Sequence, residues 1–157
     1  VNIFILDENP KTAAQYHCDK HVVKMILEHT QMLSTAIRVH SNNTIENVYK
    51  IAHLNHPCSI WTRQNRQNFL WLCEMTEELF QEYSKRYNKT HKSYSIFQTC
   101  KEYSHILPEG NLTQFAQAMP QEYKNSNPIT AYRTYYIKDK KDFAKWKNGN
   151  TPEWFLV

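Results

Sequence analysis

His17, His21, Lys24 and Glu28 recur at third- and fourth-residue spacing within the stretch Pro10 to His40. On a helix at roughly 100° per residue they fall on one polar stripe, which Gln31 and Thr35 extend and Lys20 and Arg38 flank. Imidazoles, ammonium groups and a guanidinium on one seam can all donate to phosphate oxygens, and the Lys and Arg do so as cations. Glu28 on the same seam could orient a ribose hydroxyl or a base edge. In an enzyme, Glu28 and His21 are the candidates for general acid or base. A His pair at i and i+4 also suits a metal, but the residue after His17 is Cys18 rather than the glutamate a metal-bound water needs. Lys24 beside the pair disfavours a cation, so neither a metal nor a cofactor is expected.

A second set lies further along. Trp61 with Asn65 and Asn68 puts amides beside an indole, which suits a nucleobase stacked on one face and hydrogen-bonded at its edge. The same amides would serve equally as buried caps. In the C-terminal third, Tyr123, Tyr132 and Tyr136 interleave with Lys124, Arg133, Lys138 and Lys140. That pattern fits a basic, aromatic lining, although aromatics at helical spacing also build cores. Asp19 and His29 fall on the apolar side of the first helix, where a carboxylate must find a partner, and a structural pair with a His or Arg of another helix is expected for Asp19.

The elements that must hold these residues read as helices. Residues 2 to 6, NIFIL, form a short apolar strand or extended arm, and Asn9 followed by Pro10 is a helix start. The first helix then runs to about His40 as an apolar rod with a narrow polar seam. Thr44 to Leu54 reads as a short helix and Cys58 to Tyr87 as a long one. A third periodic segment spans Ser93 to Leu107, and Asn111 to Ser126 is a loop. Asn127 and Pro128 open a last helix to about Lys147 with Gly149 as its cap, and the aromatic tail TPEWFLV docks on the body. The expected fold is mainly α: one compact domain over residues 1 to 157, with four to six helices around a long central N-terminal helix.

The totals agree. Of 157 residues only 2 are Gly and 6 Pro, too few for a barrel or sandwich with many tight turns. A net charge of +4 with 8 His favours anionic partners, nucleotide or nucleic acid, and serves solubility as well. The four Cys form no C-x-x-C pair and read as reduced, which with no signal peptide and no membrane-length run predicts a cytoplasmic protein. P-loop, G-x-G-x-x-G, G-x-S-x-G and zinc-finger spacings are absent.

Two resemblances follow from the motifs. HCDKHVVKM, HPCSIW, AMPQEYK, AYRTYYIKDKKDFAKW and the closing PEWF resemble a family of small uncharacterised proteins of tailed phages and giant viruses, which implies a viral accessory protein in a host cytoplasm. The order of parts is similar to the phage pyrimidine-dimer DNA glycosylase family. The shared parts are an apolar start, a polar-seamed first helix, a Pro-opened central helix, the loop Met119 to Lys124 and the terminal Pro152 to Trp154. That family consists of small all-α proteins with an N-terminal amine as nucleophile and a glutamate on the first helix. Here His21 or Lys24 stands where the glutamate is expected, with Glu28 one turn further on. The primary expectation is a pocket binding a phosphorylated nucleotide, built as such pockets often are in a homo-oligomer, that sequesters or cleaves a host defence signal. Its residues would be His17, Lys20, His21, Lys24, Glu28, Arg38, Trp61, Asn65, Asn68, Tyr123, Lys124, Tyr132 and Arg133. The alternative is a glycosylase or lyase acting on a flipped base.

Overall fold

The computed structural model describes residues 1–147 and 149–156. Residues 1–6 are an extended arm, and Asn2 to Leu6 are buried along its whole length. Its apolar run has no strand to pair with among the described residues and threads instead through the helical core. There its side chains leave water at roughly 25 cal/mol per Å² of apolar surface.

Among the described residues six α-helices follow: α1 Pro10–Tyr16, α2 Asp19–His40, α3 Pro57–Gln64, α4 Arg66–Tyr87, α5 Tyr94–Glu102 and α6 Pro128–Asp139. α2 is the centre, packed against α3, α4 and α5, while α4 also covers α1. The apolar faces expected of the two long helices are the buried ones, with Val22, Met25, Ile26, Leu33 and Ile37 meeting Phe69, Leu72, Met75 and Leu79 in the core. No helix among the described residues is long and apolar enough to cross a membrane.

Both expected long helices are interrupted. The Pro10 to His40 rod breaks at His17 and Cys18, whose backbones are extended, with ψ 132° and 161°. No Gly or Pro marks this break. It is held by groups distant in sequence: the Asp19 amide donates to Lys145 O at 2.7 Å, the Tyr136 hydroxyl accepts the Cys18 amide, and Arg86 takes the carbonyls of Gln15 and His17. The second rod breaks at Asn65, whose side chain caps α4 by accepting the Asn68 amide at 2.9 Å. Gly110 runs close beside that cap, and a Cβ there would come within 3.0 Å of Asn65 Cβ.

The expected helix over Thr44 to Leu54 is instead an irregular loop. Arg38 donates to the carbonyls of Glu46, Val48 and Tyr49, and Thr35 bonds both the amide and the carbonyl of Ala52. These bonds satisfy the loop's backbone without helical ones, and Asn42, Asn43 and His53 take left-handed φ values that end regular structure there. The last helix stops at Asp139, short of Lys147, so Gly149 does not cap it. Trp146, Trp154 and Phe155 of the tail pack on Tyr136 and on each other, while the expectation for Val157 lies outside the described residues.

Arg86 anchors the break between α1 and α2. Its side chain is 2% exposed and pairs with Glu82 at 2.9 Å and Asp19 at 3.1 Å. Asp19 thus meets an Arg of another helix. Removing one partner of a buried ion pair typically costs about 3–5 kcal/mol. Arg86→Leu is therefore expected to lower unfolding free energy by about that amount, read as a fall in the urea midpoint at unchanged slope.

Candidate active site

The arm carries the Val1 nitrogen to the middle of α2, where it lies 2.6 Å from Glu28 Oε1. Val1 and Glu28 side chains are only 11% and 13% exposed, and Glu28 Oε1 has no other hydrogen-bond partner among the described residues. Lys24, one turn back and mostly exposed, stands 3.7 Å from the other oxygen of the same carboxylate. This is the point at which the polar seam opens. Toward the C-terminal end of α2 the seam is covered, since Thr35 is buried under Ala52 and Arg38 is spent on the 44–56 loop.

His56 enters from α3. It is the N-cap of that helix, its Nδ1 accepting the Cys58 amide at 3.0 Å. That bond leaves the ring proton on Nε2. Desolvation lowers the His56 pKa, as do the neighbouring Val1 nitrogen and His53, against an opposing pull from Glu28. An imidazole whose Nδ1 is taken as an acceptor therefore faces the Val1 and Glu28 pair within electrostatic reach.

On the N-terminal side, His21 is buried and neutral. Phe4 of the arm stacks on it at 4.4 Å, and the Tyr136 hydroxyl lies 2.6 Å from its Nδ1. Burial, then the charges of His17, Lys140, Lys24 and Lys20, lower its pKa to about 2. Lys20 sits over Phe143 at 4.5 Å, and Lys140 over Tyr135 at 4.7 Å. The lysines from α2 and from just beyond α6 thus converge on the rim beside His21, over aromatic rings that hold their stems.

The remaining sequence candidates are placed elsewhere. His17 is fully buried, its Nδ1–H donating to Ala13 O at 2.7 Å. Trp61 donates to Thr113 O, Asn65 to Asn111 O, and Asn68 to Trp61 O and Thr113 Oγ1 while accepting the Thr113 amide. These residues staple the 111–115 stretch to α3 and α4 and leave no free base-reading edge on the amides. Arg133 donates to Leu6 O and pairs with Asp7 at 3.1 Å, fixing the end of the arm. Tyr132 is buried against Asn2, Tyr123 donates to Asp139, and Lys124 is exposed. The thirteen predicted residues do not form one pocket. Glu28, Lys24, Lys20 and His21 come together, and the Val1 nitrogen and His56, which spacing did not assign to the seam, join them.

The site thus sets a mostly shielded carboxylate against the Val1 nitrogen, with lysines at its rim. A family model described as pyrimidine dimer DNA glycosylase matches residues 1–95. No curated protein and no solved structure matches the chain. The matched stretch holds the arm, Glu28 and His56, and covers well over half of the 157 residues. The chain belongs to the pyrimidine dimer DNA glycosylase family.

Proposed function

We propose that the protein is a DNA glycosylase and lyase acting at pyrimidine dimers, with the Val1 nitrogen as its amine nucleophile and Glu28 as the proton partner of that nitrogen. The observation that carries this reading is the 2.6 Å approach of Val1 N to Glu28 Oε1 in a site both groups leave only slightly exposed. A nucleophilic amine must lose its proton, and an α-amine does so about two units lower than a lysine. Glu28 takes that proton. The amine attacks C1′ of the damaged nucleotide, the glycosidic bond breaks and the base leaves with the electron pair. Opening of the sugar at O4′ then gives a protonated imine between C1′ and Val1: the departed base takes the proton shed by the attacking nitrogen, and O4′ takes the one Glu28 holds, which returns Glu28 to carboxylate. Glu28, as carboxylate, removes a proton from C2′, the C3′–O bond breaks and the 3′ phosphate departs. In this reading His56, whose ring senses both members of the pair, donates from Nε2 to a sugar or phosphate oxygen.

Lys20, Lys24 and Lys140 supply the phosphate-facing charge such a substrate needs. A target inside a duplex must be extruded to reach a recessed amine, and a damaged base is the least costly to extrude. The nucleotide-sequestering reading keeps no comparable support, because His17, Arg38, Trp61, Asn65 and Asn68 are engaged in holding the fold.

Borohydride trapping tests the proposal. Duplexes with a cyclobutane dimer, an abasic site or no lesion are incubated with protein and reductant. Covalent species are expected with the first two and none with the third. Trapping at the abasic site alone would remove the glycosylase half, and no trapping on any duplex would overturn the reading.

A further inference from the structure

Residue 2, immediately after the nucleophile, is held more completely than its neighbours on the arm require. Asn2 is 8% exposed. Its Nδ2 donates to Ala118 O at 2.7 Å. Its Oδ1 accepts the Ile3 amide at 2.8 Å and the Cys58 thiol at 3.5 Å, and lies 3.1 Å from the Tyr132 hydroxyl. That hydroxyl accepts the Ala118 amide at 3.1 Å and lies 2.7 Å from Ala116 O. The grip therefore comes from three places: the first turn of α3, the loop at 116–118, and α6. Two of them lie beyond residue 95, outside the family match.

Both outside donors keep their protons at working pH. Burial pushes the Cys58 thiol up to about 11 and holds the Tyr132 phenol well above its ordinary value. The Cys58 thiol and the Tyr132 hydroxyl thus both face the Asn2 amide as neutral groups, the hydroxyl sharing its one proton between Asn2 Oδ1 and Ala116 O.

Taking the amine as the nucleophile, we propose that Asn2 is its positioning residue, and that Cys58 of α3, with Ala118 and Tyr132 from the C-terminal third of this chain, forms the clamp that sets the amine against Glu28. The Asn2 amide is one peptide unit from the reacting nitrogen, so its loss moves the nitrogen directly. A misplacement of about 1 Å at a reacting group can cost on the order of a hundredfold in rate.

Two readouts test it on the full chain. The first is the single-turnover rate of imine trapping at saturating abasic duplex, with duplex affinity measured alongside. The second is the rate at which formaldehyde and cyanoborohydride methylate the Val1 nitrogen without DNA, read by peptide mass spectrometry. Asn2→Ala is expected to trap about tenfold to a hundredfold more slowly, bind duplex with wild-type affinity, and methylate several-fold faster because the nitrogen is no longer held against Glu28. Cys58→Ser, which keeps a donor for Asn2, is expected near wild type in both, and Cys58→Ala is expected to fall between. Should Asn2→Ala fail to fold, Tyr132→Phe takes its place, with slower trapping at unchanged duplex affinity as the expected result. Wild-type rates in both readouts for Asn2→Ala, or for Tyr132→Phe in its place, would overturn the clamp. A wild-type protein that methylates at Val1 but traps no DNA would instead sink the glycosylase reading, and methylation would then decide the clamp alone.

Discussion

Glu28→Gln is expected to bind duplex DNA as the wild type does but to form the trapped imine at least about a hundredfold more slowly. Glutamine has the shape of the carboxylate and keeps an oxygen that can face the Val1 nitrogen. It cannot accept the proton that the nitrogen must lose, nor remove one from C2′. Acid and base assistance of this kind ordinarily contributes about 10²–10⁴ in rate, and a hundredfold corresponds to about 2.7 kcal/mol of barrier. Duplex affinity should hold or rise slightly, because the substitution removes a negative charge beside Lys24. The check is single-turnover trapping at saturating duplex together with a binding isotherm. A trapping rate within threefold of wild type would show that Glu28 is a mere counter-ion.

The second large effect concerns acid stability. His17, His21 and His29 are all buried around the arm and the start of α2. Burial holds His17 down to about 4 and His21 to about 2, and holds His29 well below its ordinary value, with neighbouring charges adding to the effect in each. Their folded pKa values lie below the unfolded value of 6.5, so the unfolded chain binds the extra protons. The stability tied to these rings is fully present above pH 6.5 and is lost as pH falls, down to about 4 for His17 and lower for His21. Each ring contributes a slope of about 1.4 kcal/mol per pH unit in that window. Over the first pH unit below 6.5, where the unfolded rings go from half to nearly full protonation, three rings amount to about 3 kcal/mol, a large share of the roughly 5–15 kcal/mol that holds a domain folded. Urea unfolding at a series of pH values should show stability falling steeply between pH 6.5 and 5. His17→Gln should reduce the slope by about one proton. A flat profile across that range would contradict the burial of neutral imidazoles at the arm.

The helices were legible because their apolar periodicity is long and uninterrupted, as in Val22, Met25, Ile26 and Leu33 on α2. Their interruptions were not. The break at His17 and Cys18 has no Gly or Pro, and it depends on Arg86, Tyr136 and Lys145, which are 69, 118 and 126 or more residues away in the chain. Reading Pro10 to His40 as one rod also placed His17 on the seam with Glu28, whereas the break turns His17 into the core. Glu28 itself was visible as the one carboxylate on a basic stripe. Its partner was not assigned, because the arm's path to α2 is set by burial of residues 2–6 and by contacts from α6, such as Arg133 on Leu6 O. Asn65 and Asn68 beside Trp61 had two readings from spacing alone, and the loop carbonyls and amide they bind favour the cap. His56 carried a signal, a polar residue just before a helix-opening Pro, but that signal speaks to capping and not to what else the ring faces.

The proposed chemistry rests on one nitrogen. Tandem mass spectrometry of the species that borohydride captures on an abasic duplex, after nuclease and protease digestion, locates it. A reduced sugar remnant is expected on the peptide that begins at Val1, localised to the Val1 nitrogen. A remnant on the side chain of Lys24, Lys20 or Lys140, with the Val1 nitrogen unmodified, would contradict that chemistry.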